Sequence, residues 1–204
     1  MIDLYAAGTS NGMRARIALE ECGLPYTLHT VDLANGGNKT AAFLAMNPNG
    51  QIPVIVDSDG PGGKPVTLAQ SMAILMYCAE KSGKFIPKDP ALRAPFLQGL
   101  MNTASDIGPT LGAIFGMMRA KEPHRPSLEP FEGRWKTFLT TWDGVLGRGK
   151  YCVGDEISVV DLALYGSWAR AKGVAPALCE GYPNLERWAA EMAARPAIQR
   201  AVKF

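Results

Sequence analysis

Three small polar side chains, Thr9, Ser10 and Asn11, follow the first predicted strand and precede the first predicted helix. Residues of these types are ordinary turn and cap formers, so a purely structural role is an open alternative. Their position favours a further role, because open α/β sheets bind ligands at the carboxyl ends of parallel strands. Hydroxyl and amide donors there, together with the N-terminus of the next helix, would hold an anion such as a thiolate.

A second polar pair, Gln70-Ser71, stands between a predicted strand and the third predicted helix. Ser71 could simply satisfy the free N–H groups at the start of that helix. Alternatively, its hydroxyl and those N–H groups would bind a carboxylate at the positive end of the helix dipole. The residues alone leave both roles open.

The run Gln51-Ile52-Pro53 opens another predicted strand. A proline is tolerated at the first residue of a strand because its missing N–H costs least there. The alternative is a cis Ile52–Pro53 bond that turns the Ile52 backbone outward, where it would pair with an extended peptide ligand. Since only about 5–6% of X–Pro bonds are cis, the motif by itself favours the structural explanation.

The remaining motifs predict structure rather than chemistry. Ser158 and Asp161 have the spacing of a capping box, which makes Asp161 a folding determinant of a buried helix and not a catalyst. His29 and His124 have no nearby pattern of a metal site or catalytic triad. Because the chain also lacks a phosphate loop and a dinucleotide fingerprint, we expect no metal and no permanently bound cofactor.

The elements that must position these residues change in kind near residue 82. Apolar spacing predicts strands over 2–6, 26–33, 52–56 and 66–68, with helices over 13–23, 39–46 and 70–81. Residues 83–90 are predicted to be a linker, and the later segments 92–119, 129–146, 159–171 and 185–194 all have helical spacing. The prediction is an α/β domain of order βαβαββα over 1–82, followed by an all-α domain over 91–204.

Composition excludes several classes of protein. The 204 residues are 47% apolar with a net charge of +2, typical of a globular protein and too weakly basic to indicate nucleic acid or an anionic membrane. The longest apolar run, 72–79, is too short to span a bilayer, and the N-terminus lacks the features of a signal peptide. Four scattered cysteines fit buried thiols in a reducing cytoplasm.

Three of these runs, in this order, resemble the glutathione S-transferase superfamily along nearly the whole chain. They are Asn47-Pro-Asn-Gly-Gln-Ile-Pro-Val54, Leu68-Ala-Gln-Ser-Met-Ala-Ile-Leu75 and the capping box that ends at Asp161. The resemblance implies a thioredoxin-like first domain, a helical second domain, a homodimer, and glutathione as a substrate. Thr9-Ser-Asn-Gly12 and Val31-Asp-Leu-Ala-Asn-Gly-Gly37 are further similar to the bacterial Nu-class or disulfide-bond reductase group, which is related to the yeast nitrogen-regulating prion protein.

That resemblance implies roles for the candidate site residues. A Thr and an Asn hold the glutathione sulfur in the Nu group, and Thr9 and Asn11 match them, with Ser10 as the third candidate. The tripeptide backbone would pair with Ile52 beside Pro53. The residues that match further glutathione-binding positions are Asn38, Gln51, Gln70, Ser71 and, for a second glutathione, Arg134. Three positions depart from the group: Asn38 replaces a Gln, Gly50-Gln51 replaces a more basic pair, and Gln70 replaces a Glu, which weakens the charge match to the γ-glutamyl ammonium.

The expected chemistry is activation of glutathione as its thiolate. Lowering a thiol pKa of about 8.5 by about two units requires roughly 2.7 kcal/mol. One charge-assisted hydrogen bond supplies about 1.5–3 kcal/mol and a helix N-terminus about 0.3–1 kcal/mol, so no protein base is needed. The expected reaction is disulfide reduction, with some conjugation or peroxidase activity. The alternatives are a transferase for an apolar electrophile and a non-catalytic glutathione-fold binding or regulatory module.

Overall fold

The computed structural model describes all 204 residues and divides into two compact units. The first unit comprises Met1–Ile86 together with Ala194–Phe204, and the second comprises Pro87–Ala193. The sequence analysis predicts a first domain that ends at residue 82 and a helical domain over 91–204, which includes the last residues of the chain. The structure differs at the C-terminus, because the final helix packs on the first helix of the α/β unit.

The first unit is built on a four-stranded mixed sheet. Strands β1 and β2 are parallel, whereas β3 is antiparallel to both β1 and β4, in the order β2-β1-β3-β4. The elements, in chain order, are β1 (Ile2–Ala6), α1 (Ser10–Cys22), β2 (Tyr26–Thr30), α2 (Ala41–Met46), β3 (Val54–Asp57), β4 (Val66–Ala69) and α3 (Ser71–Ser82). This confirms the predicted order βαβαββα and the fold class.

Alternating burial along β1 explains how the sheet is covered. Ile2, Leu4 and Ala6 are buried, and α1 and α3 pack closely against each other. A smaller cluster, formed by Val31, Phe43 and Val54, joins α2 to the sheet. Because β1 and β4 run in the same direction and α1 and α3 follow them within a few residues, the N-termini of these helices lie near the same edge of this unit.

A short helix near the C-terminus, α9 (Pro196–Ala201), completes the first unit. Arg195 binds the buried carboxylate of Glu21 on α1 through two hydrogen bonds of 2.7 and 2.6 Å. Arg200 binds Glu20, also on α1, at 2.7 Å. These long-range ion pairs explain why the segment belongs with α1, although nothing in its local sequence pattern distinguishes it from the preceding helices.

The second unit is entirely helical, as predicted. Its helices are α4 (Arg93–Asn102), α5 (Gly108–Met118), α6 (Arg125–Leu146), α7 (Val159–Val174) and α8 (Pro183–Ala193). The predicted helix over 92–119 is divided into α4 and α5 by a π-helical turn at Thr103–Ile107. No helix combines the length and the apolarity that crossing a bilayer requires.

The predicted capping box is confirmed at the start of α7. The Asp161 carboxylate accepts from the backbone N–H and the hydroxyl of Ser158, each at 2.9 Å. It also accepts from the Cys152 N–H at 2.9 Å and from the Trp188 indole at 3.0 Å. Asp161 is fully buried, so this one side chain joins the start of α7 to the preceding loop and to α8.

Candidate functional site

A cleft of about 290 Å³ opens in the first unit where the turns before α1, β3 and α3 meet. Its lining residues are Thr9, Asn11, Leu33, Asn38, Asn47, Gly50, Gln51, Ile52, Pro53, Gln70 and Ser71. The fold therefore brings together eight of the ten predicted site residues. Ser10, the first residue of α1, does not line the cleft, and Arg134 lies on α6 in the second unit, exposed, with its guanidinium 5.8 Å from the Phe131 ring centroid.

Thr9 caps the N-terminus of α1. Its Oγ1 accepts a hydrogen bond from the Gly12 N–H at 3.1 Å, and the hydroxyl keeps its proton to donate to a ligand. Gly12 makes this turn possible, because a Cβ there would stand 2.0 Å from the Ala7 carbonyl oxygen. The close approach of helix α1 to the preceding turn holds Thr9 at the edge of the cleft.

The amide oxygen of Asn11 is held by two neighbouring side chains. Its Oδ1 accepts from Arg14 Nη1 at 3.0 Å and from the Ser71 hydroxyl at 3.4 Å. A guanidinium has donors only, so the oxygen and not the NH2 group of Asn11 must face Arg14. The Nδ2 group is then the end of the amide that a ligand meets, and Asn11, like Thr9, is presented as a donor.

Arg14 is a residue that the sequence analysis missed. Its side chain is buried on α1, and desolvation lowers its pKa to about 10, which still leaves it charged at neutral pH. The only sequence signal was an arginine one helical turn after Asn11, on a helix face otherwise rich in apolar residues. A buried cation directly behind a polar cleft favours anionic ligands in that cleft.

The cleft is electrostatically suited to an anion for two further reasons. The N-termini of both α1 and α3 open toward it, beginning after Thr9 and Gln70, and their free N–H groups carry partial positive charge. No carboxylate is among the lining residues. At the rim, the Lys39 ammonium lies so close to Gly50 that a Cβ on that glycine would stand 2.7 Å from Nζ.

The turn before β3 is fixed by two asparagine side chains. Asn38 Nδ2 donates to the Gly50 carbonyl and Asn47 Nδ2 to the Gln51 carbonyl, both at 2.7 Å. The Ile52–Pro53 bond is cis, so the alternative that the motif alone disfavoured is the one the structure adopts. Neither the N–H nor the C=O of Ile52 pairs with another residue of the chain, which leaves both to a ligand.

Gln70 precedes α3 in an unusual backbone conformation. Its φ of 74° is uncommon for a residue other than glycine, and such conformations occur preferentially at functional sites. The Gln70 side chain makes no cap bond to α3 and is exposed at the cleft. Ser71 is the first helical residue, buried, and its hydroxyl connects the α3 terminus to Asn11.

Two family models match this chain: "Glutathione S-transferase, N-terminal domain" over residues 10–81 and "Glutathione S-transferase, C-terminal domain" over residues 112–196. The disulfide-bond oxidoreductase YfcG of Escherichia coli (strain K12) is 34% identical over 99% of this chain and 94% of its own length. The chain belongs to the glutathione S-transferase family. The predicted superfamily, its two-domain fold and its classification as an enzyme are thereby confirmed.

Further members of the glutathione S-transferase family are similar to this chain in sequence and in structure. The disulfide-bond oxidoreductase YghU of E. coli (strain K12) is 30% identical, over 98% of this chain and 73% of its own. A glutathione transferase family member from Pseudomonas fluorescens pf-5, solved with two glutathione bound, has a TM-score of 0.93 at 32% identity, covering 99% of this chain and 92% of that one. A glutathione transferase from Pseudomonas putida, with one glutathione disulfide bound per subunit, has a TM-score of 0.91 at 32% identity, covering 100% and 91%.

Proposed function

We propose that this glutathione transferase ionises glutathione to its thiolate and uses it to reduce small disulfides. One observation carries the proposal: at the N-terminus of α1 the Thr9 hydroxyl accepts from Gly12 and keeps its proton to donate, and the Asn11 amide is held by its oxygen, which leaves its NH2 group to donate. A thiolate accepts hydrogen bonds whereas a neutral thiol also needs an acceptor for its proton, so two donors favour the ionised form. The proton passes to solvent.

The rest of the cleft fits the remaining groups of the tripeptide. The γ-glutamyl carboxylate would lie at the N-terminus of α3 beside Ser71, with the ammonium toward Gln70. The free N–H and C=O of Ile52 would pair with the cysteinyl backbone. The glycyl carboxylate would extend toward Asn38, Gln51 and Lys39. Ser10 and Arg134, which do not line this cleft, stay predictions as sulfur-binding and second-glutathione residues, as the roles of the eight lining residues also do.

The proposed reduction proceeds in two thiol–disulfide exchanges. The bound thiolate attacks one sulfur of the disulfide, forming a mixed disulfide with glutathione and releasing the other sulfur as a thiolate. A second glutathione thiolate then attacks the glutathione sulfur, which gives glutathione disulfide and releases the second substrate thiolate. All four cysteines of the chain are buried and free, which supports resolution by a second glutathione. Two further facts support the proposal: the E. coli relatives are disulfide-bond oxidoreductases, and the two Pseudomonas structures contain glutathione or glutathione disulfide.

The direct test is steady-state reduction of a small disulfide by the Thr9→Ala and Asn11→Ala variants. We expect each variant to lose about 10- to 100-fold in kcat, because removing a preorganised donor to a reacting anion costs on the order of 10² in rate. Full turnover by both variants would contradict the proposal. A parallel conjugation assay with a chloronitroaromatic distinguishes the reductase from a transferase of apolar electrophiles, since conjugation without any disulfide reduction supports the latter.

Two further expectations concern the setting of the reaction. The homodimer implied by the family resemblance is supported by an apolar patch on α4, where Leu97 is 39% and Met101 53% exposed. Light scattering after size exclusion should give twice the 21.9 kDa mass of the chain, and the double variant Leu97→Glu/Met101→Glu should have the mass of a single chain.

A cytoplasmic location, expected from the unpaired cysteines, is tested by cell fractionation.

A further inference from the structure

Arg14 lies one helical turn into α1, directly behind the Asn11 amide. Its side chain is only 2% exposed, and Nη1 donates to Asn11 Oδ1 at 3.0 Å. Arg14 is not among the residues that line the cleft, so it is not placed to touch a ligand there. Its effect on a ligand would have to pass through Asn11 or through its charge.

The orientation of the Asn11 amide decides whether this residue attracts or repels a thiolate. An asparagine at an exposed helix start can present either its oxygen or its NH2 group, since rotation about the last side-chain bond exchanges them. The oxygen end is an acceptor and would face the thiolate, another acceptor. Ser71 alone does not settle the orientation, because a hydroxyl both donates and accepts, whereas the guanidinium of Arg14 donates only.

The bond from Arg14 also strengthens the other end of the amide. A hydrogen bond from a cationic donor draws electron density toward Oδ1 and makes the Nδ2 protons better donors. Burial lowers the pKa of Arg14 to about 10. Because this value is still well above neutral pH, the side chain keeps its charge there. The charge acts where solvent is excluded and screening is weak.

We propose that Arg14 is a positioning residue for thiolate formation, which holds the Asn11 amide with its NH2 group toward the sulfur and polarises it. This role rests on the function proposed above and identifies what keeps one of its two donors in place. The rival role is structural: Arg14 could merely hold α1 in place, in which case its loss would affect the site irrespective of Asn11.

The experiment is a double-mutant cycle between Arg14 and Asn11, with the thiol pKa of bound glutathione followed by thiolate ultraviolet absorbance. We expect Arg14→Met to raise that pKa and to lower kcat about tenfold at neutral pH, with KM changed by less than about twofold. Arg14→Lys, which retains the charge and a donor, should recover most of the loss. In the Asn11→Ala background, Arg14→Met should change kcat by less than about twofold, since the two residues act as one unit.

Arg200→Met is the matched control, because it removes another arginine that binds α1, at Glu20, on the exposed surface of the same unit. Circular dichroism and thermal melting establish that each variant folds. If Arg14→Met does not fold, the smaller loss of about threefold expected for Arg14→Lys must disappear in the Asn11→Ala background.

Each result separates the two proposals. An unchanged bound-thiol pKa in Arg14→Met, beside a raised one in Asn11→Ala, overturns the role of Arg14 and leaves the proposed function standing. Equal losses from Arg14→Met in both backgrounds also overturn it, since the effect then does not pass through Asn11; a loss that Arg14→Lys fails to recover supports the structural role, and one that it recovers supports a direct effect of the charge. If the parent protein does not ionise glutathione at all, the proposed function fails first and the role of Arg14 fails with it.

Discussion

Gln70 is the residue of the cleft at which a substitution should increase the affinity for glutathione. Its neutral amide would face the γ-glutamyl ammonium, whereas the N-terminus of α3 already favours the carboxylate. We expect Gln70→Glu to lower KM for glutathione about three- to tenfold with little change in kcat. A carboxylate there would pair with the ammonium equally well in the bound substrate and in the transition state. The gain should shrink at high salt.

Steady-state kinetics at varied glutathione concentrations measure this effect. Gln70→Met is the control that removes the polar group without adding charge, and it should raise KM. A KM that rises in Gln70→Glu as well would show that the γ-glutamyl end does not bind at residue 70.

The four cysteines should be inert in the folded protein. Burial raises the pKa of all four thiols (Cys22, Cys78, Cys152 and Cys179), that of Cys179 to about 11. Because the thiolate is the reactive form, iodoacetamide at neutral pH should leave activity and mass unchanged, whereas protein unfolded in urea should gain four adducts. Rapid inactivation of the native protein would instead assign the reactive sulfur to the chain itself.

Helix α7 depends on a single buried carboxylate. Removal of the Asp161 side chain would leave the Trp188 indole and the N–H groups of Cys152 and Ser158 buried without their acceptor. We expect Asp161→Ala to lower the free energy of unfolding by about 3 kcal/mol or more, since each buried group without a partner costs about 1–3 kcal/mol.

Urea titration followed by circular dichroism measures this loss. Asp155→Ala is the matched control, an exposed aspartate in the preceding loop, and it should change the free energy by less than about 0.5 kcal/mol. Equal midpoints for the two variants would contradict the assigned role of the capping box.

The whole molecule should lose stability in acid, partly through Asp57. Burial by itself raises the pKa of this carboxylate, but hydrogen bonds from the Tyr77 hydroxyl at 2.6 Å and from Lys81 outweigh it and hold the pKa below the ordinary 3.8. A pKa that is lower in the folded state means that the unfolded chain binds the proton first as pH falls. The stabilisation is therefore complete above about pH 5 and is lost below about pH 4.

The pH dependence of thermal melting tests this contribution. Asp57→Asn should melt at a lower temperature at neutral pH and should show a shallower loss of stability between about pH 4 and pH 2. Asp155→Asn, which changes an exposed carboxylate, should follow the parent curve. An Asp57→Asn curve parallel to that of the parent would exclude a depressed pKa at Asp57.

The local sequence pattern was sufficient to predict the order of the elements in the α/β unit and the capping box. The order βαβαββα follows from apolar spacing and turn residues, and the capping box follows from two residues three positions apart. Thr9, Asn11, Gln70 and the cis bond at Pro53 were more ambiguous, because the same residue types serve ordinary turns and caps. Only the order of the motifs along the chain, through the family resemblance, made the functional alternative the stronger one.

Long-range contacts decided the rest. Nothing in the local pattern distinguishes Arg14 from a surface charge of the predicted helix, and only packing shows that it is buried next to Asn11. The C-terminal helix α9 has an unremarkable sequence, and its place against α1 depends on Arg195 and Arg200 meeting carboxylates more than 170 positions earlier.

The sequence by itself determined the elements of the α/β unit, the family and the chemical types gathered at the strand ends, because these follow from local spacing and from the order of the motifs along the chain. The tertiary structure alone decided that Arg14 is buried and that Ser71 meets Asn11. Both depend on elements brought together by folding and on the removal of water, which makes an unmatched hydrogen-bonding group costly.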